Sequence, residues 1–96
     1  MTLAIALNGS VALVTGGSRG IGASIVRMLH SAGASVFFTF RTGVDEANAL
    51  AAELGERAAC ARFDLADSAS VPDLVAACVS RFGGLHTLIN NAATFA

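Results

Sequence analysis

The sequence contains no tyrosine, no lysine and no tryptophan among its 96 residues. A mechanism that uses a tyrosine hydroxyl as the acid, or a lysine amine, is therefore excluded for this polypeptide. The six arginines are set against seven acidic residues, and they form no patch or run that would favour nucleic acid as a partner. No apolar run approaches the length of a membrane span, and Met1–Leu7 lacks the positive flank of a signal peptide.

Cysteine is also scarce. Cys60 and Cys78 have no spacing typical of a metal site, so we expect two reduced, buried thiols in a cytoplasmic protein; a disulfide or a metal site is the alternative. The length fits one domain, residues 1–96. Hydrophobic residues make up 54% of the chain, which predicts apolar surface left over after folding and hence a partner.

Short apolar runs alternate with stretches of helical periodicity along the chain. The predicted elements are, in order, strand Val11–Thr15, helix Gly20–Ser31, strand Ala34–Phe40, helix Val44–Leu54, strand Arg57–Phe63, helix Ser70–Phe82 and strand Leu85–Asn90. Gly33, Gly55 and Gly83 follow the three helices, where a glycine commonly ends a helix, and Ser70 is predicted to cap the third. Because each helix is long enough to connect parallel strands, this order predicts an α/β fold with a parallel sheet.

A glycine-rich turn joins the first predicted strand to the first predicted helix, and it reads Thr-Gly-Gly-Ser-Arg-Gly-Ile-Gly from Thr15 to Gly22. Glycines at such a junction allow a tight turn, let the backbone approach a pyrophosphate and let the helix pack closely on the strand. The helix N-terminus also presents free N–H groups to phosphate oxygens. The residues predicted to bind a dinucleotide here are Gly16, Ser18, Arg19, Gly20, Ile21 and Gly22. The alternative is a turn that binds no ligand.

The Gly-x-x-x-Gly-x-Gly spacing from Gly16 to Gly22 resembles that of the short-chain dehydrogenase/reductase (SDR) family, as does the strand Val11–Thr15 before it. Asp64-Leu65, after the third strand, resembles the family's adenine-contacting pair. Asn90-Asn91-Ala92-Ala93, after the fourth, resembles its Asn-Asn-Ala-Gly motif.

The resemblance runs from about Leu7 onward and is close to the 3-oxoacyl-[acyl-carrier-protein] reductase and pteridine reductase branches. It implies cofactor contacts from Asp64, Leu65, Asn91, Ala92 and Ala93. Ala93 replaces the family's usual glycine, which adds a methyl group near the expected nicotinamide ribose.

The same resemblance implies a Rossmann-type fold, half of a doubly wound sheet with strand order 3-2-1-4. Family members transfer hydride between a nicotinamide cofactor and a carbonyl or alcohol, using a Ser, a Tyr and a nearby Lys. Because Tyr and Lys are absent, we expect a truncated cofactor-binding portion of an oxidoreductase that is inactive alone.

The end of the second strand bears on the choice between NAD and NADP. An acidic residue there would bind the adenosine ribose and favour NAD, but the chain continues instead with Arg41. A guanidinium matches phosphate oxygens. We therefore expect Arg41, together with Arg19 from the glycine turn, to bind the 2′-phosphate of NADP and to favour NADP over NAD. The alternative is that both are solvated surface arginines.

Other polar residues have structural alternatives. For Asp64 the alternative is a residue that caps backbone at a strand end, and for Asn90 and Asn91 it is a mainly structural role that ties strands together. His30 and His86 are expected to be structural or surface residues.

In the order 3-2-1-4 the fourth strand is an open edge. We therefore predict a homodimer in which two fourth strands pair antiparallel about a two-fold axis, with the helix Ser70–Phe82 contributing to the interface. Three functional hypotheses remain: a reductase portion that binds cofactor without turnover, a non-catalytic interaction module with a vestigial cofactor site, and an enzyme that takes its catalytic residues from another chain.

Overall fold

The computed structural model describes residues 7–17, 20–64 and 70–91. Its elements alternate in the predicted order: β1 (Val11–Thr15), α1 (Gly20–Ser31), β2 (Ser35–Phe40), α2 (Val44–Leu54), a short 3₁₀ turn (Gly55–Arg57), β3 (Ala58–Arg62), α3 (Val71–Phe82) and β4 (Thr87–Asn90). β1 pairs with β2 and β4, and β2 pairs with β3, all in parallel. The resulting order, β3-β2-β1-β4, confirms the predicted topology.

The strands after β1 are slightly shorter than predicted, and β2 and β3 start late because the residue before each belongs to the end of the preceding helix or turn. The N–H of Ala34 donates to the carbonyl of Leu29 and so belongs to the end of α1. Arg57 lies in the 3₁₀ turn rather than in β3. The starts of β2 and β3 are therefore set by how the preceding helix or turn ends, which apolar patterning does not specify.

Glycines end the three helices as predicted. Gly33 has a φ of +105°, and its N–H donates to the carbonyl of His30 at 3.0 Å, beside the bond from Ala34 to Leu29. This pair of bonds is the Schellman arrangement, which a residue with a side chain rarely adopts. Gly55 and Gly83 follow α2 and α3, each with a φ of +83°.

The prediction that Ser70 caps α3 is wrong. Ser70 precedes the helix, but its backbone is already helical and its side chain makes no capping bond. Its hydroxyl donates instead to the carbonyl of Asp64, 3.5 Å away.

The two faces of the sheet carry separate cores. On one face, α1 and α2 pack against the even-numbered residues of β1 and β2, and the buried members of this core are Val14, Val26, Ala34, Val36, Phe38, Phe40, Ala47 and Leu50. On the other face, α3 packs against the odd-numbered residues, and the buried members are Val11, Leu13, Phe37, Leu74 and Cys78. The continuous burial of β1, from Val11 to Thr15, is that of a central strand in a parallel sheet.

β4 lies at the edge of the described sheet and is mostly exposed. Leu88 is paired in register with the buried Leu13, yet it is 60% exposed. α3 also carries exposed apolar residues along one flank, at Val71, Val75 and Val79. These four exposed residues belong to the side of the sheet that α3 covers, since Leu88 is in register with Leu13 of the α3 core, and they are called the β4–α3 surface below.

Candidate dinucleotide-binding site

The carboxyl ends of the four parallel strands meet at one edge of the sheet, and the predicted site residues are distributed along it. Gly16 follows β1, Arg41 follows β2, Asp64 lies just beyond β3 and Asn91 follows β4. Gly20, Ile21 and Gly22 form the first residues of α1. The remaining predicted contacts lie outside the described residues: Ser18, Arg19, Leu65, Ala92 and Ala93.

Two glycines give the turn its backbone conformation. Gly16 has a φ of +72° and Gly20 a φ of +63°, a region in which a side chain is strained. A Cβ placed on Gly20 would meet nothing within 4 Å. Glycine is therefore favoured at position 20 by its backbone conformation and not by a lack of space, because the start of the helix is open.

Gly22 serves a different purpose, which is close packing. A Cβ on Gly22 would lie 1.9 Å from the carbonyl oxygen of Gly16 and 2.7 Å from Nδ2 of Asn91. No side chain fits there without movement of the backbone. The absence of a side chain lets α1 begin directly against the end of β1, as the sequence pattern predicted for one of the three glycines.

The sequence analysis assigned no role to Gly17, which is buried. A Cβ at this position would lie 2.7 Å from Cβ of Phe38 and 2.9 Å from a methyl group of Val26. Gly17 therefore allows the turn to pass directly over the α1–α2 core. The Gly16-Gly17 pair could have indicated this close packing, because the Gly-x-x-x-Gly-x-Gly spacing does not itself require a glycine at position 17.

A polar network connects this turn to β4. The hydroxyl of Thr15 donates to Oδ1 of Asn90 at 2.9 Å and accepts the backbone N–H of Asn91 at 3.0 Å. The side-chain amide of Asn91 then donates to the carbonyl of Gly16 at 3.1 Å. Asn90 and Asn91 thus tie the ends of β1 and β4 together, as the structural alternative proposed. Whether Asn91 also contacts a cofactor remains a prediction.

Thr39, near the end of β2, holds the turn from the other side. Its hydroxyl oxygen accepts the N–H of Gly16 at 3.2 Å, and its carbonyl accepts the N–H of Gly17 at 2.9 Å. Thr39 is only 1% exposed. Nothing in the sequence pattern indicated this role, because threonine is common in strands for its β propensity alone.

The two charged residues predicted to contact the cofactor and described by the structure are both exposed. Arg41 lies in the bend after β2, and Asp64 lies after β3. The first turn of α1 contains no acidic residue. The positive end of the α1 dipole is therefore not neutralised by a carboxylate of its own helix, which favours an anion near the turn.

His86 has a structural role. The ring Nδ1 of His86 accepts the backbone N–H of Val11 at 2.9 Å, while the backbone N–H of His86 donates to the carbonyl of Val11 at 2.9 Å. The side chain thereby extends the β1–β4 pairing at the amino end of the sheet, away from the glycine turn.

Both cysteines are unpaired thiols, and burial raises the pKa of each. Across residues 7–17, 20–64 and 70–91, no group of three or more His, Cys, Asp or Glu side chains is arranged to hold a metal ion. Nor is any helix within those ranges long and apolar enough to cross a membrane.

A parallel sheet in the order 3-2-1-4, with a glycine turn running from its first strand into a helix, is the arrangement of a Rossmann-type fold. The family model described as "short chain dehydrogenase" matches residues 10–95. The chain belongs to the short-chain dehydrogenase/reductase family.

Characterised relatives share this region. The chain is 44% identical over 88 residues to a 3-beta-hydroxysteroid dehydrogenase from Comamonas testosteroni, a match that covers 90% of this chain and 34% of the relative. It is 38% identical over 89 residues to a sorbitol dehydrogenase from Cereibacter sphaeroides, covering 93% and 34% respectively. A crystal structure of a short chain dehydrogenase from Burkholderia cenocepacia in complex with NADP superposes with a TM-score of 0.87 at 43% identity, covering 94% of this chain and 38% of that one.

The chain therefore spans about a third of the length of the curated relatives that it matches. These relatives are named as steroid and sugar-alcohol dehydrogenases, so they confirm the family but not the predicted closeness to acyl-carrier-protein and pteridine reductases.

Proposed function

We propose that this chain is the NADP(H)-binding portion of a short-chain oxidoreductase, and that it binds the cofactor without turning over a substrate. The observation that carries the proposal is the glycine turn. Gly22 abuts the carbonyl of Gly16 with no space for a side chain, and the helix that starts there has no acidic residue in its first turn. Such a turn presents backbone N–H groups and a helix dipole to a pyrophosphate.

The preference for NADP rests on Arg41. This exposed arginine directly follows β2, at the position where an acidic residue would instead favour NAD. The NADP bound to the Burkholderia cenocepacia relative supports the same choice. Asp64 is proposed to contact the adenine end, and Arg19 to assist at the 2′-phosphate.

Titration of the chain with NADPH and NADH tests both parts. We expect NADPH to bind at least about tenfold more tightly, equivalent to about 1.4 kcal/mol. Arg41→Gln should remove most of this difference and leave NADH affinity unchanged, because NADH has no 2′-phosphate. Arg81→Gln, at an exposed arginine in the last turn of α3 and away from this edge, is the matched control. Equal affinity for the two cofactors in the unsubstituted chain would contradict the preference.

The absence of turnover is proposed from the missing tyrosine and lysine, which the family's proton transfer requires. The test is to follow NADPH absorbance with a steroid ketone and with a keto sugar, substrate classes suggested by the names of the relatives. We expect no oxidation above the background without protein. Turnover by this chain alone would overturn this part of the proposal and leave cofactor binding intact.

A second candidate function, a self-associating module with a vestigial cofactor site, is favoured by the β4–α3 surface. Val71, Val75 and Val79 recur at helical spacing along one flank of α3, and each is more than a third exposed. α3 packs on the same face of the sheet as Leu88, because Leu88 is in register with Leu13 of the α3 core. We propose a homodimer in which two copies cover this surface and the β4 edges pair antiparallel.

Sedimentation of the chain at micromolar concentration tests the dimer. Val79→Glu should place a charge in the interface and produce monomers, whereas Val44→Glu, at an exposed valine of α2 on the opposite face of the sheet, should leave the dimer intact. A stable monomer of the unsubstituted chain contradicts the interface. A dimer that does not bind NADPH would favour the second function over the first. The cytoplasmic location expected from the unpaired cysteines stays a prediction.

A further inference from the structure

The peptide groups of Gly16 are held from three elements at once. Its N–H donates to the hydroxyl of Thr39 on β2, its carbonyl accepts the side-chain amide of Asn91 after β4, and the Cα of Gly22 on α1 lies against that carbonyl. Gly16 has a positive φ of +72°, so its backbone alone does not define one conformation for the turn. The orientation of the turn therefore depends on these three contacts.

We infer that Thr39 is a positioning residue for the proposed cofactor site, acting through the N–H of Gly16. Thr39 lies two residues after Phe37 and so shares the α3 face of the sheet, whereas the glycine turn passes over Phe38 on the other face. Its hydroxyl reaches the turn from beneath, with the side chain almost fully buried at 1% exposure. This placement lets it orient the turn without touching the cofactor.

The two hydrogen bonds that Thr39 accepts use different groups of the residue, so a substitution can remove one and keep the other. The bond to Gly17 comes from the carbonyl of Thr39, which any residue at this position would supply. The bond to Gly16 comes from the hydroxyl, which only threonine or serine would supply. Thr39→Val keeps the shape and the first bond but leaves the Gly16 N–H without its acceptor. A donor left unpaired in a largely buried site tends to turn away towards another acceptor.

This inference rests on the proposed function, and its experiment compares ligands with and without a pyrophosphate. Thr39→Val should weaken NADPH about fivefold to tenfold, because displaced N–H groups no longer match the pyrophosphate. Adenosine 2′-monophosphate has no pyrophosphate, so its affinity should change less than about twofold. Thr39→Ser keeps the hydroxyl and should restore NADPH binding. Thr87→Val, at an exposed threonine of β4, is the control for loss of a hydroxyl.

Amide hydrogen exchange gives a second readout that needs no ligand. Thr39→Val should accelerate exchange at Gly16 and leave Gly17 protected, because only the bond from the Gly16 N–H to the Thr39 hydroxyl is lost. A merely structural role would instead lower the affinity for both ligands and accelerate both amides together. Unchanged exchange at Gly16, or faster exchange with undiminished NADPH affinity, overturns the inference. Failure of the unsubstituted chain to bind NADPH overturns the proposed function, and the Gly16 exchange rate then decides by itself whether Thr39 holds the turn.

Discussion

The two faces of the sheet differ in how they cover β4: Ile89 packs against the α1–α2 core, whereas Leu88, on the α3 face, is left exposed. On the α1–α2 face, Phe38 and Val26 are completely inaccessible to solvent. On the α3 face, Leu88 is 60% exposed, although it lies next to the buried Leu13 in register. Side chains of similar hydrophobicity are thus fully covered in one region and left open in the other. The end of the sheet at β4 is therefore closely covered on one face and presents an apolar surface on the other.

The largest expected effect comes from truncating one apolar side chain in each region. Phe38→Ala should lower the free energy of unfolding by about 3–5 kcal/mol, since it leaves a cavity beneath the glycine turn. Leu88→Ala should change it by less than about 0.5 kcal/mol in the monomer, because most of its side chain is already in water. Denaturant titration of dilute protein measures both.

The result for Leu88 also sharpens the comparison. If the loss of stability on Leu88→Ala grows with protein concentration, Leu88 is covered in an assembly, as the homodimer requires. A large loss that does not depend on concentration would mean that Leu88 is covered within one chain, and the contrast between the two faces would be wrong.

The next effect concerns Gly22, where the well-packed region meets β4. Gly22→Ala would force apart the carbonyl of Gly16 and the amide of Asn91, which lie 1.9 Å and 2.7 Å from the added Cβ. Overpacking of this kind costs about 1–3 kcal/mol, and we expect NADPH binding to be lost with it.

Gly84→Ala is the matched control for this substitution. The nearest atom to a Cβ at Gly84 is in the ring of His86, at an ordinary contact distance of 3.6 Å. Its stability and cofactor affinity should stay close to those of the unsubstituted chain. Unimpaired NADPH binding by Gly22→Ala would show that the cofactor does not use this turn.

Much of this architecture could be predicted from the sequence because the signals are local. The spacing of Gly16, Gly20 and Gly22 is read directly from neighbouring residues, and apolar periodicity located each strand and helix. The order 3-2-1-4 came from the resemblance that these motifs carry, not from the periodicity.

The features missed were those that depend on contacts between distant segments. Thr39 and Gly17 acquire their roles only when β2 is placed beside the turn. Ser70 failed as a cap because its hydroxyl bonds to Asp64 instead, a competition that a capping pattern does not reveal. Local rules thus identified the turn, while the residues that hold it in place required the folded sheet.

The two cysteines provide one natural probe in each region. Cys60 packs against the α1–α2 core and is partly exposed, whereas Cys78 is inaccessible in the α3 core. Burial raises the pKa of both thiols, so both should react slowly with an aromatic disulfide reagent. Cys78 can react only after α3 opens, and we expect this opening to need less free energy than global unfolding.

Labelling of the variants Cys60→Ala and Cys78→Ala, each with one thiol left, measures this difference across a denaturant series. The rate at Cys78 should rise less steeply with denaturant than global unfolding does, because opening of α3 exposes less surface. Parallel slopes would instead mean that the two faces open as one cooperative unit.

The smallest expected effect concerns an exposed ion pair on the well-packed side, between Arg27 of α1 and Glu53 of α2. The hydrogen bonds from Arg27, reinforced by its charge and opposed by desolvation, lower the pKa of Glu53 below its usual value. The stabilisation from the pair is therefore present above the usual carboxyl pKa and is lost as the pH falls through the lowered value.

Glu53→Gln should accordingly reduce the unfolding midpoint slightly at neutral pH and not at all in acid, with high salt shrinking the difference. Glu56→Gln, in the 3₁₀ turn, is the control for loss of a negative charge. A difference between Glu53→Gln and the unsubstituted chain that persists unchanged in acid would mean that Glu53 stabilises α2 by some means other than its charge.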